Sequence, residues 1–357
     1  MSAEDLTASI ETLENEGVLH RLPPEPAPAP GEAVPKPSAR RHLWIVRRLA
    51  YTVVSLLVVS ILVFGATQIL PGDAANAILG NQATPKALAQ MRAQLGLDQP
   101  ITAQYLSWIT GALHGDFGTS LTLNEPVSQV LAEKVRNSGV LLLLTVIVIV
   151  PVSVLLGVYT AVKRDKLFDT ATLSVLMVVS ALPEFVLGIF LVVIFSTGLM
   201  HLFPATALLA ADQNPLSTPN ALVLPVAVLV LVSVPYLTRL IRASMIEVLD
   251  SDYVQNARLK GISERRILFR HALPNALVPP VQALAETLAY LVGGVVVVEY
   301  LFAYPGLGTA LTDAVSGRDL PMVQASTLLL ATVYMVVNLL ADVATVYLTP
   351  KLRTATS

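Results

Sequence analysis

Cysteine is absent from the 357 residues, which removes disulfides, thiolate metal centres and cysteine nucleophiles at once. Charge is scarce: Asp, Glu, Lys and Arg make up 13% of the chain, against about 25% in an ordinary soluble protein. Neither sign is in surplus, since the formal net charge is −2. A nucleic-acid binder needs a basic surplus, and a disordered chain needs high charge with little apolar content. Both are excluded, as is a soluble enzyme of ordinary composition. His20, His42, His114, His201 and His271 are too scattered for a metal-ligand spacing, and no nucleophile elbow is present.

What is there is apolar. Hydrophobic residues make up 54% of the chain and mean hydropathy is +0.67. The 24 prolines and 19 glycines suit helices in a bilayer, which tolerate both better than soluble ones. A hydrocarbon core about 30 Å thick takes roughly 20 apolar residues of helix. Leu49–Leu70, Asn137–Val162, Gln213–Thr238 and Pro321–Ala341 are long enough and carry no charge. Two more candidate spans are interrupted by acids: Phe168–Leu199 holds Asp169 and Glu184, and Asn275–Leu301 holds Glu286 and Glu299. Barrel strands would alternate with period two, which is not seen. The expectation is an all-α membrane protein with six transmembrane helices; the alternative has five, with Asn275–Leu301 buried rather than spanning. If the N-terminus lies inside, 18 of the 23 Lys and Arg residues fall on the cytoplasmic side. Both termini are therefore expected there.

Residues 1–39 form a separate tail with seven acids, two bases and seven prolines between Pro23 and Pro37. Such a stretch cannot bury enough apolar surface to order itself, though Leu6–Leu19 has the spacing of a short amphipathic helix. It lacks the basic start and apolar core of a signal peptide. A transmembrane domain over 40–353 follows, and 354–357 is a short C-terminal tail. The loop 71–136 is expected to fold as a cap on the extracytoplasmic face. In it Thr84 reads as the N-cap of a helix ended by Gly96, Pro100–Leu113 reads as a second helix, and His114–Ser120 is turn material.

The inner loop 244–274 is the most informative segment. Asp250 or Ser251 is placed to cap a helix through Lys260, with Gly261 at the stop. Ser263 opens a second helix expected to reach about Ala272, before Pro274. Leu259, Ile262, Ile267 and Leu268 give it an apolar side among five bases. The shape suits either a groove on a cytoplasmic partner or an anionic lipid surface.

This segment resembles the EAA loop of ABC importer permeases: Glu-Ala-Ala, three residues, Gly, nine residues, Ile, one residue, Leu-Pro. Gln255-Asn256-Ala257 stand at the opening triplet, Gly261 at the glycine, His271 at the isoleucine and Leu273-Pro274 at the closing pair. The glutamate, one alanine and the isoleucine are replaced. The fuller pattern is similar to OppB/DppB-type permeases for peptides and nickel, through Asp252–Val254, Ala257, Arg258, Lys260, Gly261, Ser263–Arg265, Arg270–Leu273, Asn275 and Ala276. Arg47-Arg48-Leu49, Leu70–Asp73, Leu95–Pro100, Gly115–Ser120, Val298-Glu299, Phe302 and Pro305–Gly308 extend the likeness over about residues 42–353.

The resemblance implies that the loop fills a cleft in a separate ATPase subunit. Ala257, Gly261, His271, Leu273 and Pro274 would lie at that contact, with Arg258, Lys260 and Arg265 beside it. No Gly-x4-Gly-Lys-Ser/Thr motif occurs in the chain, so the chain itself is expected to bind no cofactor and catalyse nothing. ATP and Mg would sit on two partner ATPase subunits, or one fused pair. A second homologous permease and an extracytoplasmic substrate-binding protein complete the implied assembly in the plasma membrane, with no nucleic acid. Peptides, as di- or oligopeptides, stand ahead of nickel as the implied substrate. A secondary transporter driven by an ion gradient is the rival, although it predicts an internal symmetry not seen here.

A charge inside a bilayer needs a reason. Glu184 and Glu286 either line the translocation path or pack helices as hydrogen-bonded groups; Glu299 and Asp342 read as packing. Pro183, Pro225 and Pro235 interrupt helix hydrogen bonding as kinks or hinges, and Gly293-Gly294 permits close approach of a neighbouring helix.

Overall fold

The computed structural model describes residues 38–69, 84–94, 98–210 and 213–348. The acidic tail, the Gly96 stop, Leu70–Asp73 and the bases Lys351 and Arg353 lie outside them. The regular elements of the described residues are all helices, and their only pairing of strand type is an isolated bridge between Thr119 and Pro126.

Helix α1 (Ser38–Ile69) is followed by two short helices, α2 (Pro85–Gln94) and α3 (Ile101–Leu113). Thr84 caps α2 as its position suggests, its Oγ1 accepting the Ala87 N–H at 3.3 Å. Helix α3 leans on α1: Tyr105 and Trp108 pack around Phe64, with ring centroids 5.5 and 5.7 Å away, and the Ser60 and Tyr105 hydroxyls lie 2.8 Å apart. The turn after it uses Gly115 and Gly118, both at φ 79°.

Among the described residues, five helices are long and apolar enough to cross a membrane: α1, α4 (Val127–Val162), α7 (Pro219–Leu249), α11 (Val278–Leu301) and α13 (Leu320–Leu348). The sixth candidate is a pair, α5 (Leu167–Ser180) and α6 (Glu184–Val192), the latter extended to Thr197 by a π-helical turn. The two are bent by 106° where Ala181–Pro183 interrupts them. The ambiguity in counting therefore falls on the third span and not on Asn275–Leu301. Pro225 and Pro235 behave differently, both sitting inside a continuous 31-residue α7. Transmembrane helices tolerate such prolines better than soluble ones do.

Helix α7 is the centre of the bundle. More than half of its most apolar window is buried (56%), against 11% for α1. As far as Thr238 it carries no charge on any side, as suits a central helix, and it touches α4, α5, α6 and α11. Lipid gives no hydrophobic push between helices, so close contact depends on small residues. A Cβ on Gly157 of α4 would lie 2.7 Å from Ile241, and one on Gly188 of α6 would collide with Leu301.

Two expected boundaries move. Helix α4 begins at Val127 rather than Asn137, and α7 runs on to Leu249 rather than Thr238. Charge had set those limits, and in α7 the helix continues through its charged turn because that charge is paired. Arg242 of α7 donates to both Asp169 oxygens of α5, at 2.7 and 2.6 Å. Ser244–Leu249, read as loop, is thus the last part of α7.

Candidate functional sites: a helical loop and a cavity between helices

At the end of the bundle beyond Leu249, the chain turns into α8 (Asp252–Leu259). Ser251 is its N-cap residue, but its hydroxyl points back to the Val248 carbonyl and does not cap. The helix stops as expected. Gly261 takes φ +74°, its N–H donates to the Arg258 carbonyl at 2.9 Å, and the Ile262 N–H reaches the Ala257 carbonyl at 3.2 Å. This double closure is the Schellman arrangement, which requires a left-handed residue at the glycine position.

Ser263 then starts α9 (Glu264–Arg266), which passes through a π-helical stretch, Ile267–Ala272, into α10 (Leu273–Ala276). The expected end before Pro274 is corrected. Pro274 falls in the first turn of α10, directly after the π-helical stretch, whose wider turn accommodates a residue without an N–H. Leu277 is then the only break before α11.

Val254, Ala257 and Ile267 form the interior of this loop, with Ile262 against them. Ala272 and Ala276 anchor it on Ala161 and Met245. Ala257 is therefore turned inward. Leu259, expected on the apolar side, is 86% exposed, and Phe269 is exposed too. These two apolar side chains stand among exposed Lys260, Gly261, Arg265, Arg266, Arg270 and Pro274, while His271 and Leu273 are half-buried. Arg258 forms a two-pronged pair with Glu264 across the glycine turn, at 2.9 and 3.3 Å. Sequence reasoning missed the brace beneath it: Asn275 Nδ2 donates to the His271 carbonyl at 2.9 Å and to the Tyr253 hydroxyl at 3.2 Å. The signal was present, since Tyr253 and Asn275 both belong to the matched pattern.

Glu184 and Glu286 are brought together. Both line one cavity of about 750 Å³ between the start of α6 and the sides of α11 and α13. Tyr290 donates its hydroxyl to Glu184 Oε1 at 2.9 Å, while Oε2 is buried with no partner among the described residues. Gly294 lets α6 approach: a Cβ there would lie 3.0 Å from Glu184. Gly293, by contrast, faces open space.

The opposite end of the bundle holds two acids in closed networks. Glu299, fully buried at the end of α11, accepts from Ser138 Oγ at 2.5 Å and from the Gly308 N–H at 2.7 Å. Gly308 lies in the first turn of α12 (Leu307–Ser316), so the carboxylate faces a helix N-terminus. A Cβ on Gly306 would overlap the Glu299 carboxylate. Asn137 and Tyr304 close the network through the Pro305 and Asn137 carbonyls, at 2.9 and 2.8 Å. Asp319 caps α13 through the Met322 N–H at 3.3 Å, and its other oxygen accepts from Ser120 and from the Thr122 N–H and hydroxyl. Burial works to raise the Asp319 pKa, but donors from Ser120, Thr122 and Leu121 outweigh it and hold it below the ordinary carboxylate value. Asp342 pairs with Arg48 of α1.

The matched motifs thus become contacts: Gly115–Ser120 through Ser120, and Val298–Gly308 through Glu299 and its glycines. Comparison with known proteins agrees along the same stretches. Residues 153–354 match the family described as binding-protein-dependent transport system inner membrane component, and residues 42–141 match its N-terminal counterpart. A Brucella abortus (strain 2308) protein named as a peptide transport system permease is 38% identical over 309 residues, covering 87% of this chain and 98% of its own. The glutathione transport system permease protein of Salmonella choleraesuis is 35% identical over 310 residues, with 87% and 98% covered. With most of its length and its buried networks falling on these matched segments, the chain belongs to the family of inner membrane components of binding-protein-dependent transport systems.

Proposed function

We propose that this chain is one of two permeases in an ATP-driven importer of short peptides. The observation that carries the reading is the loop from Asp252 to Ala276. It is a braced, glycine-turned helical hairpin that presents Leu259 and Phe269 among exposed bases, at one end of a bundle holding no nucleotide motif. An apolar knob in a basic rim fits a groove on another protein better than it fits water. The peptide substrate rests on the relatives being named as peptide and glutathione permeases.

In this reading both termini are cytoplasmic, following the Lys and Arg bias. The segment from α2 through Thr122 forms the extracytoplasmic cap, where a substrate-binding protein docks. Two ATPase subunits (or a fused pair) carry ATP and Mg, and a second homologous permease completes the path. Lys260, Gly261, Arg265 and Pro274 touch the ATPase, His271 and Leu273 support them from behind, and Ala257 and Arg258 hold the hairpin's shape. Closure of the ATPases pulls on α7 and α11, to which the hairpin is joined at both ends. Nucleotide energy becomes transport only because the bundle's two states bind the ATPases differently.

Purification of the chain from its own membranes in mild detergent tests the assembly. An ATPase, a second permease and a binding protein should co-elute in comparable amounts. Recovery of the chain alone, or as a homodimer, would refute the reading and leave ion-gradient-driven uptake as the next test.

A further inference from the structure

The intramembrane acids differ in one respect. Asp169 has Arg242, Glu299 has Ser138 and the Gly308 N–H, and Asp342 has Arg48. Glu184 has only a neutral phenol on one oxygen, its other oxygen is buried without a partner, and Glu286 makes no hydrogen bond or ion pair among the described residues. Both carboxylates face the same cavity, and no Lys, Arg or His lines it. Two carboxylates at bilayer depth with no cation are costly, so their neutralising partner comes from elsewhere.

Three further features point to a ligand. The cavity, at about 750 Å³, lies within the range of roughly 300–1,000 Å³ common to small-molecule sites. Pro183 lines it, so the 106° break between α5 and α6 opens onto it. Irregular backbone at membrane depth is tolerated where it is buried in protein or lines a polar cavity, and broken helices recur at transport sites. Finally, Gln282, Glu286, Tyr290 and Gly293 form an exposed stripe along one side of α11, which acyl chains would not tolerate.

We infer that this cavity is an amine-recognition site, in which Glu184 and Glu286 receive the protonated N-terminal amine of a peptide passing through the bundle. The inference rests on the peptide-importer reading. A primary ammonium has three donors and no acceptor, and the cavity offers two carboxylates together with Tyr290 and Asn338. A metal ion fits less well, since no three His, Asp or Glu side chains gather closely enough to hold one among the described residues. The N-terminal amine is also the one cation present whatever the peptide's side chains. Glu286 and Tyr290 lie one helical turn apart, so the amine has staggered acceptors along α11, as passage rather than storage requires.

The test uses the complete importer, with both permeases, the ATPases and the binding protein, reconstituted in proteoliposomes with trialanine as the probe. Uptake, ATP hydrolysis stimulated by loaded binding protein, and retention of the second permease are read together. The Glu184→Gln, Glu286→Gln double variant should lower uptake about tenfold, the size of one lost charge-assisted hydrogen bond. Stimulated hydrolysis should stay within about twofold, and Glu286→Asp should keep most uptake. Unchanged uptake in the double variant overturns the site. Loss of the second permease from the complex also overturns it, by assigning the two acids to a base on that neighbour. Absence of uptake by the unsubstituted complex refutes the importer reading itself, before any substitution is made, and the site with it.

Discussion

The two ends of the bundle use charge in opposite ways. At the end holding α3 and α12, the acids Glu299 and Asp319 are fully buried, and each accepts hydrogen bonds at both oxygens. Their donors come from distant parts of the chain, so these acids tie α4 and the 118–123 turn to α11, α12 and α13. At the end holding α8 to α10, Lys260, Arg265, Arg266 and Arg270 are exposed and unpaired among the described residues, and the loop is shaped by a small apolar interior and one left-handed glycine. A saturated buried network resists deformation. An exposed basic rim with apolar knobs keeps its interactions for a partner. One end is built to hold its shape and the other to be gripped.

The sharpest way to break this comparison is at Gly261. No atom lies within 4 Å of a Cβ built there, so a side chain would project outward instead of clashing within the chain. Gly261→Trp should abolish peptide uptake while the protein still inserts and assembles its bundle. Gly261→Ala isolates the backbone effect, since a left-handed alanine costs about 1–2 kcal/mol. It should reduce uptake only partly. Normal uptake with Gly261→Trp, measured in cells or proteoliposomes, would remove the loop from the coupling path.

Next in size is Glu299, where the effect should be on stability. Glu299→Ala strands the Ser138 hydroxyl and the Gly308 N–H in a dry interior, at about 1–3 kcal/mol for each group, and leaves a void beside Gly306. The midpoint of thermal unfolding in detergent should fall markedly, with poor expression. Leu259→Ser at the other end should leave that midpoint unchanged, because Leu259 touches water in the isolated chain. Equal losses from the two substitutions would erase the distinction between the ends.

How much of this was legible in sequence depended on whether a feature was local. The apolar runs, the Thr84 cap and the Gly261 stop are short-range patterns and were readable. Ala257 and Leu259 are two residues apart on α8, and their inward and outward placement depends on how α9 folds back, which periodicity over eight residues does not fix. The third span was readable as apolar, but its bend at Pro183 was not distinguishable from the tolerated prolines 225 and 235. Glu286 and Glu299 show the limit most clearly. They lie on the same helix, and only the distant Ser138 and Gly308 make one a sealed structural group while the other faces an open cavity. Sequence named both acids; long-range contacts separated their roles.

Asp319 gives a smaller, pH-dependent effect at the rigid end. Its folded pKa lies below its ordinary value of 3.8 because the donors around it outweigh burial. A depressed carboxylate contributes its full stability above the ordinary value and loses it as pH falls through the lower folded value. Unfolding followed from neutrality down toward pH 3 should therefore show a loss that Asp319→Asn flattens. Asparagine keeps an acceptor for some of these donors but does not titrate. Identical acid profiles for the two proteins would mean that Asp319 does not bear on this clamp.

The smallest effect is expected at Arg258. Its pair with Glu264 is partly exposed, the side chains being 35% and 69% accessible, and such pairs are worth about 0.2–1 kcal/mol. Arg258→Ala should leave the unfolding midpoint almost unmoved and lower uptake modestly, by loosening the angle between α8 and α9. Raising the salt concentration should mimic the substitution in the unsubstituted protein and add nothing in the variant, because an exposed ion pair is screened. If Arg258→Ala instead destabilised the protein as strongly as Glu299→Ala, the hairpin would be as rigidly fixed by charge as the opposite end, and the contrast between a held end and a gripped end would fail.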